Sequence, residues 1–487
     1  MSRFEALAAY DAASDGRYQL LPLKFTPLDG ERYVLTNMVG EYAVVTRSTV
    51  HALARHTLRP SDPHYLELRA KHFLRDADSD IALELLALKA RTKLQRLANF
   101  TSLHMFVVSL RCEHSCPYCQ VSRQSDDRLA YDMSQETASK ALELVFRSPS
   151  PALKIEFQGG ESLLNFPLIR FIVEKALEKN VEANRNLQFV IATNLAVLTD
   201  DMLEFCKAHG VLLSTSLDGP ADLHNANRPR PGRDSYERAI AGIRRAREVL
   251  GPDAVSALMT TTRASLERAR DIIDEYIAQG FHNIFLRSLS PYGFAVKTKT
   301  YAAYDTSDWL KFYFEGLRYV IELNKKGTPF VESYATTILG KMLTPFEAGY
   351  VDLMNPAGIG IASVVYNYDG DVYASDESRM LAEMGDKTFC MGNVHQHSYE
   401  QLFASEALLA PLEETFMSSV PMCSDCAFEP YCGADPVYHY ATQGDFVGRK
   451  PVSGFCEKNM TIFRALIGMM EEDHDTKRLF RRWAAHA

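Results

Sequence analysis

The most constraining feature of this sequence is a short loop that carries three cysteines. Cys112, Cys116 and Cys119 directly follow the apolar run LHMFVVSL, with the spacing C-x3-C-x2-C. Three thiolates on one tight loop can hold three irons of a [4Fe–4S] cluster, whose closed form takes four cysteines. The fourth iron is then open to a ligand from outside the protein. The alternatives are cysteines without a shared role, or a zinc knuckle, which needs a fourth ligand close by and for which His114 is poorly placed.

The loop sequence CEHSCPYC, with Tyr118 just before the third cysteine, resembles the signature of the radical S-adenosylmethionine (SAM) superfamily. The resemblance implies that the amino and carboxylate groups of SAM bind the open iron and that Tyr118 belongs to the cofactor site. It also implies that an electron from the cluster cleaves SAM to a 5′-deoxyadenosyl radical. The protein then orients and shields chemistry that belongs to the cofactor.

Length and composition narrow the class of protein. The 487 residues suffice for two to four domains. The net charge of −9 leaves no basic stripe, so nucleic acid is a poor default partner. No apolar run reaches the roughly 18–20 residues of a membrane span, and the N-terminus lacks the apolar segment of a signal peptide. Seven of the nine cysteines cluster, which indicates metal or catalytic ligands rather than disulfides, and we expect a cytoplasmic protein.

Residues 101–300 show strands that alternate with amphipathic helices. The strand candidates are LHMFVVSL, LKIEFQG, LQFVIAT, VLLSTSL, VSALMTT and NIFLRSL. The helix candidates are Met133–Phe146, Pro167–Lys179, Asp200–His209, Tyr236–Val249 and Leu266–Gln279. This alternation predicts an α/β fold with a parallel sheet, and six units favour a partial (β/α)6 barrel. Chemistry in such barrels collects at the carboxyl ends of the strands, and the cysteine loop follows the first of them.

The second strand ends in Gly159, Gly160 and Glu161. Two glycines let the backbone approach a ligand closely, and a carboxylate can accept hydrogen bonds from an ammonium group. The motif resembles the GGE motif of the superfamily, which meets the amino group of SAM, although Ser162 stands where a proline is usual. Without the cysteine loop beside it, a simple turn explains the same residues.

The later strand ends supply further candidates. The third strand ends in Thr193-Asn194, and the fourth continues into Ser216, Asp218, His224 and Arg228. The order S-x-D-G-x4-H-x3-R is similar to the region of peptide-modifying members that binds the ribose and carboxylate of SAM. The similarity implies that Asp218 accepts hydrogen bonds from the ribose hydroxyls of SAM and that Arg228 pairs with a carboxylate. For His224 a packing role is an equally good interpretation.

The remaining chain divides into three further regions. Residues 1–100 show β-rich runs and then helical spacing, which fits either a winged-helix module that binds leader peptides or a plain β/α cap. Residues 301–350 read as a helical bridge. Residues 351–487 form a cysteine-rich C-terminal domain with a terminal helix.

The C-terminal domain carries Cys423, Cys426 and Cys432 with the spacing C-x2-C-x5-C, and Cys456 follows. Four thiolates fit either zinc or a second [4Fe–4S] cluster, and spacing alone does not choose. Beside a radical SAM loop, the pattern resembles the SPASM extension, whose cysteines share two auxiliary clusters.

Departures from the SPASM pattern predict one auxiliary cluster rather than two. Pro436 and Ser375 stand where the pattern has cysteines, and the segment 354–360 lacks a third. Cys206 and Cys390 then stay free.

The chain as a whole resembles the His-Xaa-Ser system radical SAM maturases. Shared segments are LTN-x-VGEY at 35–42, SPSP at 148–151, SLDGP at 216–220 and PMCSDCAFEPYCGADPVYH at 421–439. The resemblance implies a precursor peptide or protein with His-Xaa-Ser repeats as substrate, a second radical SAM protein, a small companion protein, and an electron donor such as flavodoxin or ferredoxin.

The leading functional prediction is therefore an enzyme that abstracts hydrogen from a ribosomally made precursor. A neighbouring alternative is a sulfatase-type maturase that makes formylglycine. A different class is a non-catalytic Fe–S electron-transfer or peptide-binding module. Asp376, just after Ser375, is the candidate for the catalytic base, although a turn carboxylate would look the same in sequence.

Overall fold

The computed structural model describes residues 18–485; residues 1–17, where we found no signal-peptide pattern, and 486–487 lie outside the described part. The N-terminal region contains a three-stranded antiparallel sheet in the order β2-β3-β4, a β1–β5 pair and three helices. Its elements are β1 (Tyr18–Leu20), β2 (Leu23–Pro27), β3 (Arg32–Asn37), β4 (Tyr42–Thr46), α1 (Arg47–Ala54), α2 (Tyr65–Ala70), β5 (Leu74–Asp76) and α3 (Ile81–Leu94). A separate apolar core, which includes Leu35, Val45 and Phe73, stabilises this module.

The central region alternates strands and helices as the sequence predicts. Its elements are β6 (Leu103–Ser109), α4 (Arg128–Tyr131), α5 (Gln135–Val145), β7 (Ala152–Gly159), α6 (Phe166–Ala183), β8 (Asn186–Thr193), α7 (Asp200–His209), β9 (Val211–Ser216), α8 (Ala221–Asn227), α9 (Ser235–Leu250), β10 (Val255–Leu258), α10 (Ala269–Ala278) and β11 (Asn283–Ile284). Strands β6 to β10 are parallel neighbours in chain order, so their carboxyl ends share one edge.

The C-terminal region continues the same sheet. Its elements are α11 (Phe294–Lys297), α12 (Thr306–Lys325), β12 (Val331–Glu332), α13 (Ser333–Leu343), β13 (Ser363–Tyr366), β14 (Asp371–Tyr373), α14 (Asp376–Ala382), β15 (Cys390–Asn393), α15 (Tyr399–Phe403), α16 (Glu406–Glu414), α17 (Pro436–Gln443), α18 (Gly454–Glu472) and α19 (His474–Ala484). Strand β13 pairs in parallel with β6, and β14 and β15 follow antiparallel, which gives eight strands in the order β10-β9-β8-β7-β6-β13-β14-β15.

The sixth predicted strand, NIFLRSL, is much shorter in the structure. Only Asn283 and Ile284 are in strand conformation, and they pair with β12 instead of β10. The carboxylate of Glu332 accepts the backbone N–H of Leu286 at 3.2 Å, so a side chain replaces a neighbouring strand as the acceptor. The residues that follow leave the sheet and run toward the cysteine loop.

None of the helices between residues 18 and 485 combines the length and apolar composition that a membrane span needs.

Candidate metal and cofactor site

The cysteine loop lies at the carboxyl end of β6 and is fixed by backbone contacts. The N–H of Cys119 donates to the carbonyl of Cys116 at 3.1 Å, and the N–H of Phe294 donates to the carbonyl of Cys119 at 2.8 Å. Gly293 has φ +60°, and a Cβ there would lie 2.4 Å from the carbonyl oxygen of Gln120. A larger residue at 293 would therefore displace the loop, which no local sequence pattern predicts.

The thiols of Cys112, Cys116 and Cys119 are free and partly exposed. Burial raises the pKa of the Cys112 thiol, and it raises the pKa of Cys116 to about 12. Such thiols are protonated at neutral pH, and a metal must displace their protons to bind. The loop thus offers three sulfur ligands for a metal group, which fits a cluster with one open iron.

His114 has no free ring nitrogen for a zinc knuckle. Its Nδ1 lies 3.0 Å from the amide nitrogen of Asn194 and 3.1 Å from Glu113, and its Nε2 lies 2.8 Å from the hydroxyl of Ser235. The same hydroxyl lies 3.1 Å from Nε2 of His224. Both histidines therefore hold the loops together, although Cys112, Glu113 and His114 bring their ligand atoms within 4.8 Å of one another. Sequence reasoning missed Ser235, because only the fold brings it between two histidines.

Gly159 and Gly160 approach the protein backbone rather than open space. A Cβ on Gly159 would lie 2.0 Å from the carbonyl oxygen of Ser109, and one on Gly160 would lie 2.3 Å from that of Arg111. Backbone hydrogen bonds of 2.8 Å from Gly160 to Ser109 and of 2.7 Å from Glu161 to Arg111 join the two strand ends. The glycines therefore hold the Glu161 segment against the start of the cysteine loop.

Glu161 is fully buried and accepts three hydrogen bonds. The donors are the hydroxyl of Thr193 at 2.6 Å, the N–H of Asn194 at 2.8 Å and the N–H of Leu163 at 2.9 Å. Burial and the charge of Glu113 nevertheless raise the pKa of Glu161 to about 7. The predicted residues Glu161, Thr193 and Asn194 thus meet at one place beside the loop.

Asp218 and Arg228 form a buried ion pair. The Arg228 Nε lies 2.9 Å from one carboxylate oxygen of Asp218, and the hydroxyl of Tyr118 donates to that oxygen at 2.5 Å. The guanidinium also lies 5.5 Å from the centre of the Tyr118 ring. Ser216 ends β9 two residues earlier and is half-buried. The polar residues predicted after the fourth strand therefore lie around Tyr118, the residue before the third cysteine. In this structure the carboxylate of Asp218 binds protein groups.

The four C-terminal cysteines also come together. Their electrostatic influence on each other's pKa is mutual, and burial raises the pKa of Cys456 to about 11. Within residues 18–485, no three of these sulfur atoms lie within 4.8 Å of one another. Four thiols at one place offer a complete ligand set for a metal group, either zinc or a second [4Fe–4S] cluster.

The residues that replace further cysteines have structural roles of their own. Ser375 is the N-cap of α14: its hydroxyl accepts the N–H of Ser378 at 3.2 Å. Pro436 occupies the first turn of α17.

Asp376, the candidate base, lies 3.5 Å from the guanidinium of Arg379, and burial raises the pKa of its carboxyl. Cys206 is buried in α7, and Cys390 begins β15.

Comparison with known proteins identifies the central region. Residues 106–286 match the model of the Radical SAM superfamily. The matched range begins in β6 and ends just past β11, so it contains the cysteine loop and the strand ends described above.

The curated proteins that are similar to this chain include maturation enzymes. A serine-type anaerobic sulfatase-maturating enzyme of Bacteroides thetaiotaomicron is 29% identical over 139 residues, which cover 28% of this chain and 33% of the relative. The chain spans between one third and two thirds of the length of the first curated relatives that it matches.

Two solved structures share the fold. The structure of native anSMEcpe with bound AdoMet and Cp18Cys peptide superposes with a TM-score of 0.61 at 17% identity, over 76% of this chain and 98% of that one. Streptococcus suis SuiB bound to precursor peptide SuiA superposes with a TM-score of 0.51 at 14% identity, over 88% of this chain and 98% of that one.

Proposed function

We propose that this protein is a radical SAM enzyme that abstracts hydrogen from a residue of a ribosomally made peptide. The observation that carries the proposal is the convergence of three free thiols with Glu161, Asp218 and Arg228 at one sheet edge. When bound, the cluster and SAM supply the electron and the radical. The chain's own residues bind, orient and shield them.

The contacts of the strand-end residues support the roles that we propose for them. Glu161 is held by three donors, so its carboxylate has a fixed position from which to accept an ammonium group. Arg228 is fixed by Asp218 and Tyr118, which orients its remaining N–H groups for a carboxylate. Asp376 is half-buried next to the buried Arg379 and is the candidate to take a proton from the substrate.

A second [4Fe–4S] cluster on Cys423, Cys426, Cys432 and Cys456 completes the proposal. The resemblance of this cysteine pattern to the SPASM extension supports a cluster over a structural zinc. The role of Ser375 as a helix cap supports a single auxiliary cluster. An electron donor such as flavodoxin or ferredoxin, a second radical SAM protein and a small companion protein are the expected partners.

We assign a peptide substrate, specifically a precursor with His-Xaa-Ser repeats. Peptides in the structures of two proteins of similar fold, anSMEcpe and SuiB, support the peptide class. The segments 35–42 and 421–439, which resemble the His-Xaa-Ser system maturases, support the specific precursor.

Formylglycine formation is the second candidate, because one relative is a serine-type sulfatase-maturating enzyme. The cysteine replaced by Ser375 weighs against it. Co-expression with a His-Xaa-Ser precursor and with a sulfatase peptide, followed by mass spectrometry, separates the two.

The direct test is SAM cleavage by protein reconstituted and reduced without oxygen. Wild type should form 5′-deoxyadenosine, whereas Cys116→Ala should form none, because three thiolates leave no spare ligand. Cys206→Ala is the matched control and should keep wild-type activity, since Cys206 lies in α7 away from the loop. Near-normal cleavage by Cys116→Ala would refute the proposal.

A further inference from the structure

A small inner chamber with a mixed polar lining lies between the two cysteine sets. Its volume is about 50 Å³, and its lining includes the carboxylates of Asp352, Glu377 and Asp435. Ser290 also lines it, and the backbone carbonyl of Ser290 accepts a hydrogen bond from Gln120, the residue after Cys119, at 3.3 Å. On the other side its wall includes Lys458, two residues after Cys456.

An outer groove connects this chamber with the surface. The groove has a volume of about 830 Å³ and shares with the chamber the residues Ser288, Leu289, Trp309, Tyr438, Phe455 and Lys458. A groove of this size accommodates several residues of an extended peptide, whereas the chamber has room for one side chain. The two together have the form of a peptide track with a single side-chain pocket.

The carboxylates of the inner chamber have few hydrogen-bond donors within the protein. Glu377 has a cationic neighbour, Arg287, with a charged-atom distance of 4.0 Å. Asp435 accepts one hydrogen bond, from the N–H of Tyr438 at 3.0 Å. In the part of the chain that the structure describes, the carboxylate of Asp352 has no hydrogen bond and no ion pair. The chamber therefore offers carboxylate oxygens to a donor from outside.

The chamber also contains donors without acceptors. The side chain of Trp309 is only 3% exposed, and its indole N–H has no partner among residues 18–485. The ammonium of Lys458 lies 5.4 Å from the ring centres of Tyr334 and Phe455 and has no acceptor in the described structure. A buried N–H without an acceptor is destabilising, so a ligand that accepts a hydrogen bond from it is favoured.

We propose that the inner chamber binds a histidine side chain of the peptide. This assignment rests on the proposed function and names the residue type of the substrate that the chamber holds. A neutral imidazole is flat, with one N–H to donate to a carboxylate and one bare nitrogen to accept from Trp309 or Lys458. Aromatic side chains, including Tyr292 and Tyr334, form walls against which a ring packs. A lysine offers donors only and leaves the indole N–H unpaired. The volume matches roughly three to five water-sized sites, which is the scale of one five-membered ring.

The test is peptide binding, measured apart from catalysis. Fluorescein-labelled dodecapeptides of glycine and serine, with a single central His, Ala or Lys, are titrated by anisotropy against cluster-loaded protein with SAM and without reductant. We expect the His peptide to bind at least about tenfold more tightly than the Ala peptide. Asp435→Asn and Trp309→Phe should each reduce this ratio at least about threefold, because the first removes the charge of one acceptor and the second removes the indole donor. Glu457→Gln, an exposed change on the same helix as Lys458, should keep it.

Equal binding of the His and Ala peptides would overturn the proposal, and so would no binding of either up to about 1 mM. Tighter binding of the Lys peptide than of the His peptide would also overturn it. The third such result is a preference for the His peptide that survives both chamber variants. SAM cleavage by the same preparations is scored separately. A His preference without SAM cleavage refutes the proposed function alone, whereas cleavage without a His preference refutes the chamber assignment alone.

Discussion

The hydroxyl of Tyr431 donates a hydrogen bond to the backbone carbonyl of Gly40 over 2.8 Å. The two residues are 391 positions apart and belong to the segments LTNMVGEY (35–42) and CAFEPYC (426–432). A second bond of 2.6 Å, from the hydroxyl of Thr36 to the carbonyl of Ala427, joins the same segments. The N-terminal module is therefore attached directly to the loop that carries the C-terminal cysteines.

Replacement of Tyr431 by Phe should weaken this attachment. The change leaves the carbonyl of Gly40 without its donor inside the protein, which costs about 1–3 kcal/mol. Urea unfolding should show the loss as a lower midpoint. Tyr33→Phe is the matched control, because the hydroxyl of Tyr33 has no hydrogen bond in the described structure, and an equal loss in both variants would contradict the prediction.

Asp218→Asn should destabilise the protein as well as weaken SAM binding. The substitution leaves the largely buried guanidinium of Arg228 without its counter-charge. Loss of one partner of a buried pair costs about 3–5 kcal/mol. Asp222→Asn removes the exposed partner of Arg268 and should cost less than about 1 kcal/mol. Thermal or urea unfolding measures the stability of both variants. Equal losses of stability would contradict the prediction that the buried ion pair contributes more than the exposed one.

Glu377 should make stability fall as pH rises. Burial and the charges of Asp352 and Asp376 raise its pKa to about 7 from the usual 4.5. Between these values the native state holds a proton that the unfolded state has released, so stability decreases with pH and the cost is complete above the folded pKa. Glu377→Gln should therefore flatten the decline and stabilise the protein at about pH 8 by no more than about 3 kcal/mol.

Melting temperatures of wild type and Glu377→Gln from about pH 5 to about pH 8 check this prediction. Glu457→Gln, an exposed substitution, is the control and should keep the wild-type slope. Parallel curves for wild type and Glu377→Gln would contradict the sign derived from burial.

Metal analysis should find two clusters per chain. Wild type reconstituted without oxygen should hold about eight irons, and the variant Cys112→Ala/Cys116→Ala/Cys119→Ala should hold about four. About twelve irons would mean that Ser375 and Pro436 do not mark a lost site. About four irons and one zinc in wild type, with the zinc retained in the variant, would assign the C-terminal set to zinc.

Local patterns predicted the strands and helices of the central region closely. The run LQFVIAT lies within β8, and Asp200–His209 is α7 to the residue, because Thr199 caps its start and Gly210 follows its end. In these elements, the periodicity of apolar residues or a capping residue can be recognised from neighbouring positions in the sequence. The candidate residues at the strand ends could be found for the same reason, since each follows an apolar run.

Contacts between distant segments were beyond sequence reasoning. Ser235 between two histidines, β12 beside β11, and three carboxylates around one chamber each depend on the three-dimensional arrangement. The shortened sixth strand shows the limit most clearly: its composition favours a strand, yet the carboxylate of Glu332 takes the hydrogen bond that would extend it.

The pairing of β13 with β6 has a consequence for synthesis on the ribosome. Strand β6 ends at Ser109, and its neighbour β13 ends at Tyr366. At about 5–20 residues per second, roughly 13–50 seconds pass before that neighbour is translated. During this time the strand that leads into the cysteine loop has one unpaired edge, which is a template for pairing with other chains. Yield of this protein in cells should thus depend on translation speed and on chaperones that cover a nascent sheet edge.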